Sequence, residues 1–429
     1  MKPPVRDVLA RLRTDALLAR KVAVDLLAAR RSRHSVARLI AERGPLPEGR
    51  FEIGVYFADG DINLYQVRQW YRPLAELART HPVVLLSRNS TAAEVLLAES
   101  PVPVAYVRSV ADLERTLAEQ PLRIVLYVNQ NARNFQMMRY GRRWHVFVNH
   151  GESDKMYMTT NQFKAYDYSF IAGDAALARL HRVLWDFDFD KRALAIGRPQ
   201  ADHFAGRTPF EPDGRQVVLY APTWEGDRPA AGYGSIRSHG VALATALLAD
   251  PAYRLIYRPH PRSGAVDADY GAADREIAAL IASANAADPA AQHVHDTGAE
   301  LGWQLAAADI AVLDVSAMVY DRLATGRPLM VTRPVSPSAE VDESGYLGDA
   351  EWLLAEDASA VVRRIESVEH DAAAVERLQK WVAHYFGDTA PGAATRRFHA
   401  AIEHLLSEWE RHADLHRDDP SVDEHDPEA

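Results

Sequence analysis

The chain is expected to be an α/β protein built from two doubly wound, Rossmann-type domains facing a central cleft. Three observations predict this. Short apolar runs alternate with helical periodicity from Phe51 onward, the pattern of strands buried in parallel sheets. The length of 429 residues suits two domains. Polar stretches follow several of the apolar runs directly, as strand-end loops do in open sheets.

Residues 1–43 read as a basic, amphipathic helical arm, with eleven Lys or Arg against four acids and Leu, Val and Ile interleaved at loosely helical spacing. Such a stretch either packs on the body with a solvated basic face or lies on an anionic membrane surface, and the dominance of Arg and Lys favours the membrane. Gly44 to Gly49 breaks the pattern. A first domain, 46–206, then begins with a strand at Phe51–Phe57 and a helix at Leu64–Thr80. Strand Val83–Leu86, helix Ala92–Glu99, extended Val102–Val107 and helix Val110–Ala118 follow. Strands Ile124–Val128, Trp144–Asn149 and Ala165–Ala172 and helix Asp174–Leu184 complete it.

The polar stretch Arg207–Arg215 marks the boundary. The second domain, 215–409, has strand Val217–Tyr220, helix Val241–Leu248, strand Arg254–Tyr257 and helix Glu276–Ala284. Its centre is Asp309 to Val331, read as strand Ile310–Leu313, a helix N-capped by Ser316 and stopped by Gly326, then a second strand. Helices Ser359–Ile365, Ala372–Phe386 and Thr395–Trp409 end it. Residues 410–429 read as an acidic, disordered tail; 418–429 alone carry six acids and no Lys or Arg.

Composition excludes several classes. The chain has no cysteine, so disulfides, thiolate catalysis and Cys-ligated zinc are out. Its net charge of −10 argues against nucleic acid as a partner. No apolar run is long enough to span a bilayer and no signal peptide is evident.

Four strand-end stretches carry the candidate chemistry. In Asn149-His150-Gly151 an imidazole in an exposed turn can take a proton from an attacking hydroxyl, although a turn histidine bonded to backbone is the commoner case; Lys155 offers a phosphate contact or a solvated charge. In Tyr220-Ala221-Pro222-Thr223-Trp224 the Thr223 hydroxyl either meets a phosphate or belongs to a simple turn. Arg258, His260 and Arg262, stiffened by Pro259 and Pro261, suit a multiply charged phosphate. Ser316 and the N–H groups from Ala317 on suit an oxygen of a pyrophosphate; Asp321 either accepts from ribose hydroxyls or pairs with an Arg, and Asp314 has a turn role as its alternative.

In this order the stretches resemble the CDP-glycerol glycerophosphotransferase family, the teichoic acid primases and polymerases. That family carries an HG motif with a Lys downstream, a G-x-P-x-x-D turn, a Y-A-P-T-[FW] strand end, an R-x-H-P loop and a D-x-S-S helix start with a later Asp. Here they stand as His150-Gly151 with Lys155, Gly197-Arg198-Pro199 to Asp202, Tyr220 to Trp224, Arg258-Pro259-His260-Pro261, and Asp314-Val315-Ser316-Ala317 with Asp321. The resemblance spans Asn149 to Leu329. Glu152-Ser153 stands in place of Thr-Pro, Gln200-Ala201 in place of Arg-Asn, and Ala317 in place of the second serine.

The resemblance implies a GT-B-like fold whose second domain binds a CDP-polyol donor. It implies transfer of a polyol phosphate to a hydroxyl of a lipid-linked acceptor, with release of CMP. His150 would be the general base. Arg258, His260 and Ser316 would hold the pyrophosphate, with Thr223 nearby and His260 stabilising the leaving phosphate. Asp314 or Asp321 would orient the ribose or a donor-site histidine, and Gly151 and Lys155 would meet phosphate or acceptor. No cofactor or metal site is implied, with Mg²⁺ left open. The alternative is a nucleotide-sugar glycosyltransferase in cell-surface polysaccharide synthesis, or a hexosamine epimerase, of the same fold, either of which would carry a Gly-rich stretch where Ser316-Ala317-Met318 stands; a third reading is a binding module that retains the anion cleft but would have lost His150 or His260.

Overall fold

The computed structural model describes residues 29–152, 160–298 and 301–417. Seven strands form the first sheet: β1 (Ile53–Phe57), β2 (Val83–Ser87), β3 (Val104–Tyr106), β4 (Ile124–Tyr127), β5 (Trp144–Phe147), β6 (Tyr168–Ile171) and β7 (Ala193–Ala195), in the order β3-β2-β1-β4-β5-β6-β7. Six form the second: β8 (Gln216–Ala221), β9 (Tyr253–Tyr257), β10 (Val294–His295), β11 (Ile310–Leu313), β12 (Leu329–Thr332) and β13 (Trp352–Leu353), in the order β10-β9-β8-β11-β12-β13. The second sheet is parallel throughout, with Leu219 opposite Ile256 on one side and Ala311 on the other. Both sheets start from a central strand, wind outward one way, then reverse. The reversal leaves a crevice at the carboxyl ends of β1 and β4 in one sheet and of β8 and β11 in the other.

The near-continuous apolar runs of the second sheet are buried on both faces. Leu219, Ile256, Ala311, Leu313 and Val331 pack with Val319, Leu323, Leu378 and Val382. The alternate residues Val218, Tyr220, Leu255, Tyr257, Val312 and Met330 pack with Leu243, Leu247, Ile277 and Ile365 on the other side. The two-residue period of the strands thus divides one sequence run between two helical layers.

Strands of the first sheet end at Ala195 and those of the second begin at Gln216, on either side of the polar stretch 207–215. Compactness partitions the chain differently: one unit takes Met1–His150, Ala165–Ser169 and Ile402–Ala429, the other Gly151–Lys164 and Phe170–Ala401. The last helix, Ala393–Leu415, contributes to both. In the first unit its final turns are held by the Trp144 indole N–H on the Leu405 carbonyl (3.0 Å) and the Trp409 indole N–H on the Arg142 carbonyl (2.8 Å).

Several expectations are corrected. The helix expected over Leu64–Thr80 is two, Leu64–Arg68 and Tyr71–Leu77, because Pro73 has no N–H for the carbonyl four residues earlier. The helix expected at Glu276–Ala284 runs Ala268–Ala287, started by Asp267, whose carboxylate accepts from Asp269 and Tyr270 N–H. Gly271 lies inside it against Gly264, a close approach that a side chain would crowd. The tail expected to be disordered from 410 is helical to Leu415; residues 418–429 lie outside the described residues. Of the basic arm, residues 29–43 are a helix with Ser32 and Val36 buried, Ser90 Oγ on the Ala29 carbonyl (3.3 Å) and Arg43 on the Val104 carbonyl (2.5 Å). That stretch takes the packed reading with Arg30, Arg31 and Arg38 exposed, and residues 1–28 lie outside the described residues. No helix among the described residues is long and apolar enough to cross a membrane.

Candidate functional site

His150 follows β5 by a turn in which Asn149 takes a left-handed φ of 54°, a conformation asparagine tolerates. The Trp70 indole N–H fixes the Asn149 carbonyl at 2.5 Å, and the Asn149 side chain accepts from the His150 N–H at 2.9 Å. His150 Nδ1 lies 3.0 Å from the Val128 carbonyl at the end of β4, and only a protonated Nδ1 can donate there. The neutral ring therefore carries its lone pair on Nε2, the form a general base needs. Of the neighbours predicted with it, Lys155 lies outside the described residues. Glu152, where the family carries Thr, forms a nearly buried ion pair with Arg179.

The second unit gathers three of the predicted stretches at the carboxyl ends of β8, β9 and β11. Thr223, just past β8, gives its N–H to Asp314 (2.7 Å), and its carbonyl accepts the Tyr270 hydroxyl (2.6 Å). Trp224 stacks against His260 with ring centroids 6.5 Å apart, and the Arg262 guanidinium lies 3.8 Å from the Trp224 ring centre. Glu225 holds the far end of the β9 loop by accepting from Gly264, Val266 and Asp267 N–H at 2.7–3.0 Å.

Within that loop His260 Nδ1 accepts the Arg262 N–H at 3.1 Å. The neutral ring must then carry its proton on Nε2, which has no hydrogen-bond partner among the described residues. Burial lowers the His260 pKa, the Arg262 charge lowers it further, and Glu225 opposes them. His260 thus presents a neutral N–H donor at neutral pH. Beyond β11, Ser316 caps its helix by accepting the Met318 N–H at 3.3 Å, and Ala317 is exposed at the first helical position.

Four residues predicted as donor contacts have protein partners. Arg258 is turned to Asp296, with which it forms an ion pair, and Asp296 also accepts from Gln304 (2.5 Å) and Gly298 N–H (3.0 Å), so its charge is already matched by the protein. The exposed Arg262 lays its guanidinium on the Trp224 face, which leaves its N–H groups able to donate. Asp314 is fully buried and accepts from Thr223 N–H, Ser235 N–H (3.0 Å) and the Thr332 hydroxyl (2.6 Å), tying the ends of β8 and β12 to the turn at Ser235. Burial pushes its pKa up to about 6 against these hydrogen bonds. It cannot also reach a ribose.

Asp321 is likewise buried and pairs with Arg198 of the Gly197-Arg198-Pro199 turn, the alternative reading of this residue. Burial raises its pKa and the Arg198 charge opposes the rise. The Gly197-Arg198-Pro199 turn and the helix after β11, far apart in the chain, therefore meet through this pair. Sequence reasoning missed Glu225, Ser235, Tyr270, Asp296 and Thr332, which order the loops. Only Glu225, directly after the Y-A-P-T-W stretch, carried a signal.

No family model matches the chain, and no curated protein matches it. Solved structures do. A UDP-N-acetylglucosamine 2-epimerase is similar with a TM-score of 0.54 and 12% identity, over 85% of this chain and 97% of that one. The wall teichoic acid polymerase TagF gives 0.53 and 13%, over 92% and 99%. The UDP-GlcNAc 2-epimerase of Neisseria meningitidis, bound to UDP-GlcNAc, gives 0.50 and 13%, over 83% and 100%. At this identity the likeness is one of fold: the chain has the GT-B architecture of two Rossmann-type sheets.

Proposed function

We propose that this protein is a transferase that moves a polyol phosphate from a CDP-linked donor to a hydroxyl of a membrane-linked glycan or teichoic-acid-type acceptor, releasing CMP. The observation that carries the reading is His260: a neutral imidazole N–H donor at the end of β9, beside the switch point where α/β sheets bind phosphates. In this scheme the acceptor oxygen attacks the β-phosphorus while His150 Nε2 takes its proton. The bond from that phosphorus to the bridging oxygen breaks, and CMP leaves with the bridging oxygen. His260 Nε2–H and Ser316 offer hydrogen bonds to the charge gathering there. With Arg258 paired to Asp296, His260, Ser316 and the exposed Arg262 are left to carry the anion binding in this scheme.

The likeness to TagF, a wall teichoic acid polymerase solved in one form with CDPG, supports the donor class. The likeness to UDP-N-acetylglucosamine epimerases keeps a second reading, a nucleotide-sugar enzyme, either a hexosamine epimerase or a glycosyltransferase. Nucleotide release from CDP-glycerol, CDP-ribitol and UDP-N-acetylglucosamine separates them. CMP from a CDP donor alone supports the first reading, and UDP release the second. The basic residues of 1–43 are proposed to hold the enzyme on an anionic, cytoplasmic membrane surface, near a lipid-linked acceptor.

A further inference from the structure

The crevice of the first sheet holds a polar network that no motif announced. Asp59, two residues past β1, accepts from Asn129 Nδ2 (2.7 Å) and Asn131 Nδ2 (2.5 Å), both just past β4. Asn129 Nδ2 also donates to Gln66 Oε1 (2.7 Å), and Gln66 Nε2 donates to the Tyr65 hydroxyl (3.2 Å). Tyr65 is 51% exposed and meets the His150 ring edge-on, with centroids 5.7 Å apart. His150 in turn bonds the carbonyl of Val128, the neighbour of Asn129. One connected set thus links the proposed base to a carboxylate, three amides and an exposed aromatic face, all where this sheet reverses its winding.

We infer that this face binds the hydroxyl-bearing end of the acceptor, and that it takes a neutral polyhydroxylated group, a sugar ring, rather than a phosphate ester. Amides and a carboxylate are donors and acceptors matched to hydroxyl groups. An exposed tyrosine ring supplies a flat apolar platform for the C–H face of a sugar. The charged group at the centre of the network is Asp59, and a carboxylate there repels a phosphate. Its bonds to Asn129 and Asn131 hold both amides in place, so Asp59 is a positioning residue and Tyr65 a contact residue. The inference rests on the transferase reading for its purpose, and its test stands apart from it.

The test is saturation-transfer NMR on the full chain with methyl N-acetyl-β-glucosaminide and, separately, glycerol 3-phosphate. The glycoside is expected to receive saturation and the phosphate ester not. Tyr65→Ala should weaken glycoside binding about fivefold to tenfold, the worth of one aromatic contact. Tyr65→Phe should keep it, which separates the platform from damage to the fold. Asp59→Ala should weaken it and Asp59→Asn restore part of it. No transfer to the glycoside, a glycoside affinity unchanged by Tyr65→Ala, or preferred binding of glycerol 3-phosphate overturns the inference. CMP release to water by the same preparations reads the donor side alone. Its failure beside intact glycoside binding would sink the transferase reading and leave the sugar face standing.

Discussion

Replacing Asp314 tests how the second unit holds its loops. The carboxyl is fully buried, with its pKa pushed from 3.8 to about 6. A carboxyl raised in the fold binds protons more tightly there than in the unfolded chain. Its contribution therefore favours the fold below about pH 4 and is lost as pH rises through about 6. A rise of that size corresponds to roughly 3 kcal/mol. Asp314→Asn removes the ionisation while its oxygen keeps the Thr223 and Ser235 N–H bonds, and the Thr332 hydroxyl can turn to accept from the new amide. The stability of Asp314→Asn relative to the parent should therefore rise by roughly 3 kcal/mol between about pH 4 and pH 7. Asp314→Ala instead orphans two buried N–H groups, should cost about 2–6 kcal/mol near pH 4, and should show the same rise with pH relative to the parent because it too lacks the carboxyl. Hydrogen exchange of β8 and β11 amides, corrected for intrinsic rates, reads the second unit directly. A pH-independent difference between Asp314→Asn and the parent would refute the argument.

Other outcomes follow from the same geometry. Removing the His260 donor by His260→Ala should lower CMP release about 10²–10³-fold, and a loss under tenfold would take His260 out of the chemistry. His150→Ala should slow transfer about 10²–10⁴-fold while leaving donor affinity unchanged by calorimetry. Arg322 is fully buried and gives its guanidinium to the carbonyls of Pro328, Leu305 and Ala308 (each 3.0 Å) and Asp309 (2.6 Å), so Arg322→Met should destabilise the second unit by about 3–5 kcal/mol in urea titrations. Deleting residues 1–28, which leaves the packed helix 29–43 with its exposed Arg30, Arg31 and Arg38 in place, should weaken sedimentation with anionic liposomes at low salt; unchanged sedimentation would end the membrane proposal.

Most of the strands and long helices were legible because a doubly wound sheet writes itself as alternating periods. The runs at Val83, Ile124, Val217 and Ile310 needed no tertiary information to be recognised, since both faces of those strands are apolar. The two-residue edge strands β10 and β13 were invisible, being too short to show a period. So was the first half of the helix Ala268–Ala287, because Gly271 reads as a breaker until its contact with Gly264 is seen.

The site was legible as residue types at strand ends, but the protein partners of those residues were not. Arg258, Asp314 and Asp321 carry the right chemistry for a nucleotide, but each is already engaged by Asp296, the Thr223 and Ser235 N–H groups, or Arg198. By itself the sequence determined the winding of both sheets and which loops stand at their carboxyl edges, because hydrophobic period and turn chemistry are local. Only the tertiary structure decided which polar side chains remain to meet a ligand. A charge is matched by whatever lies within a few ångströms of it, and in this fold those partners come from roughly 40 to 120 residues away along the chain.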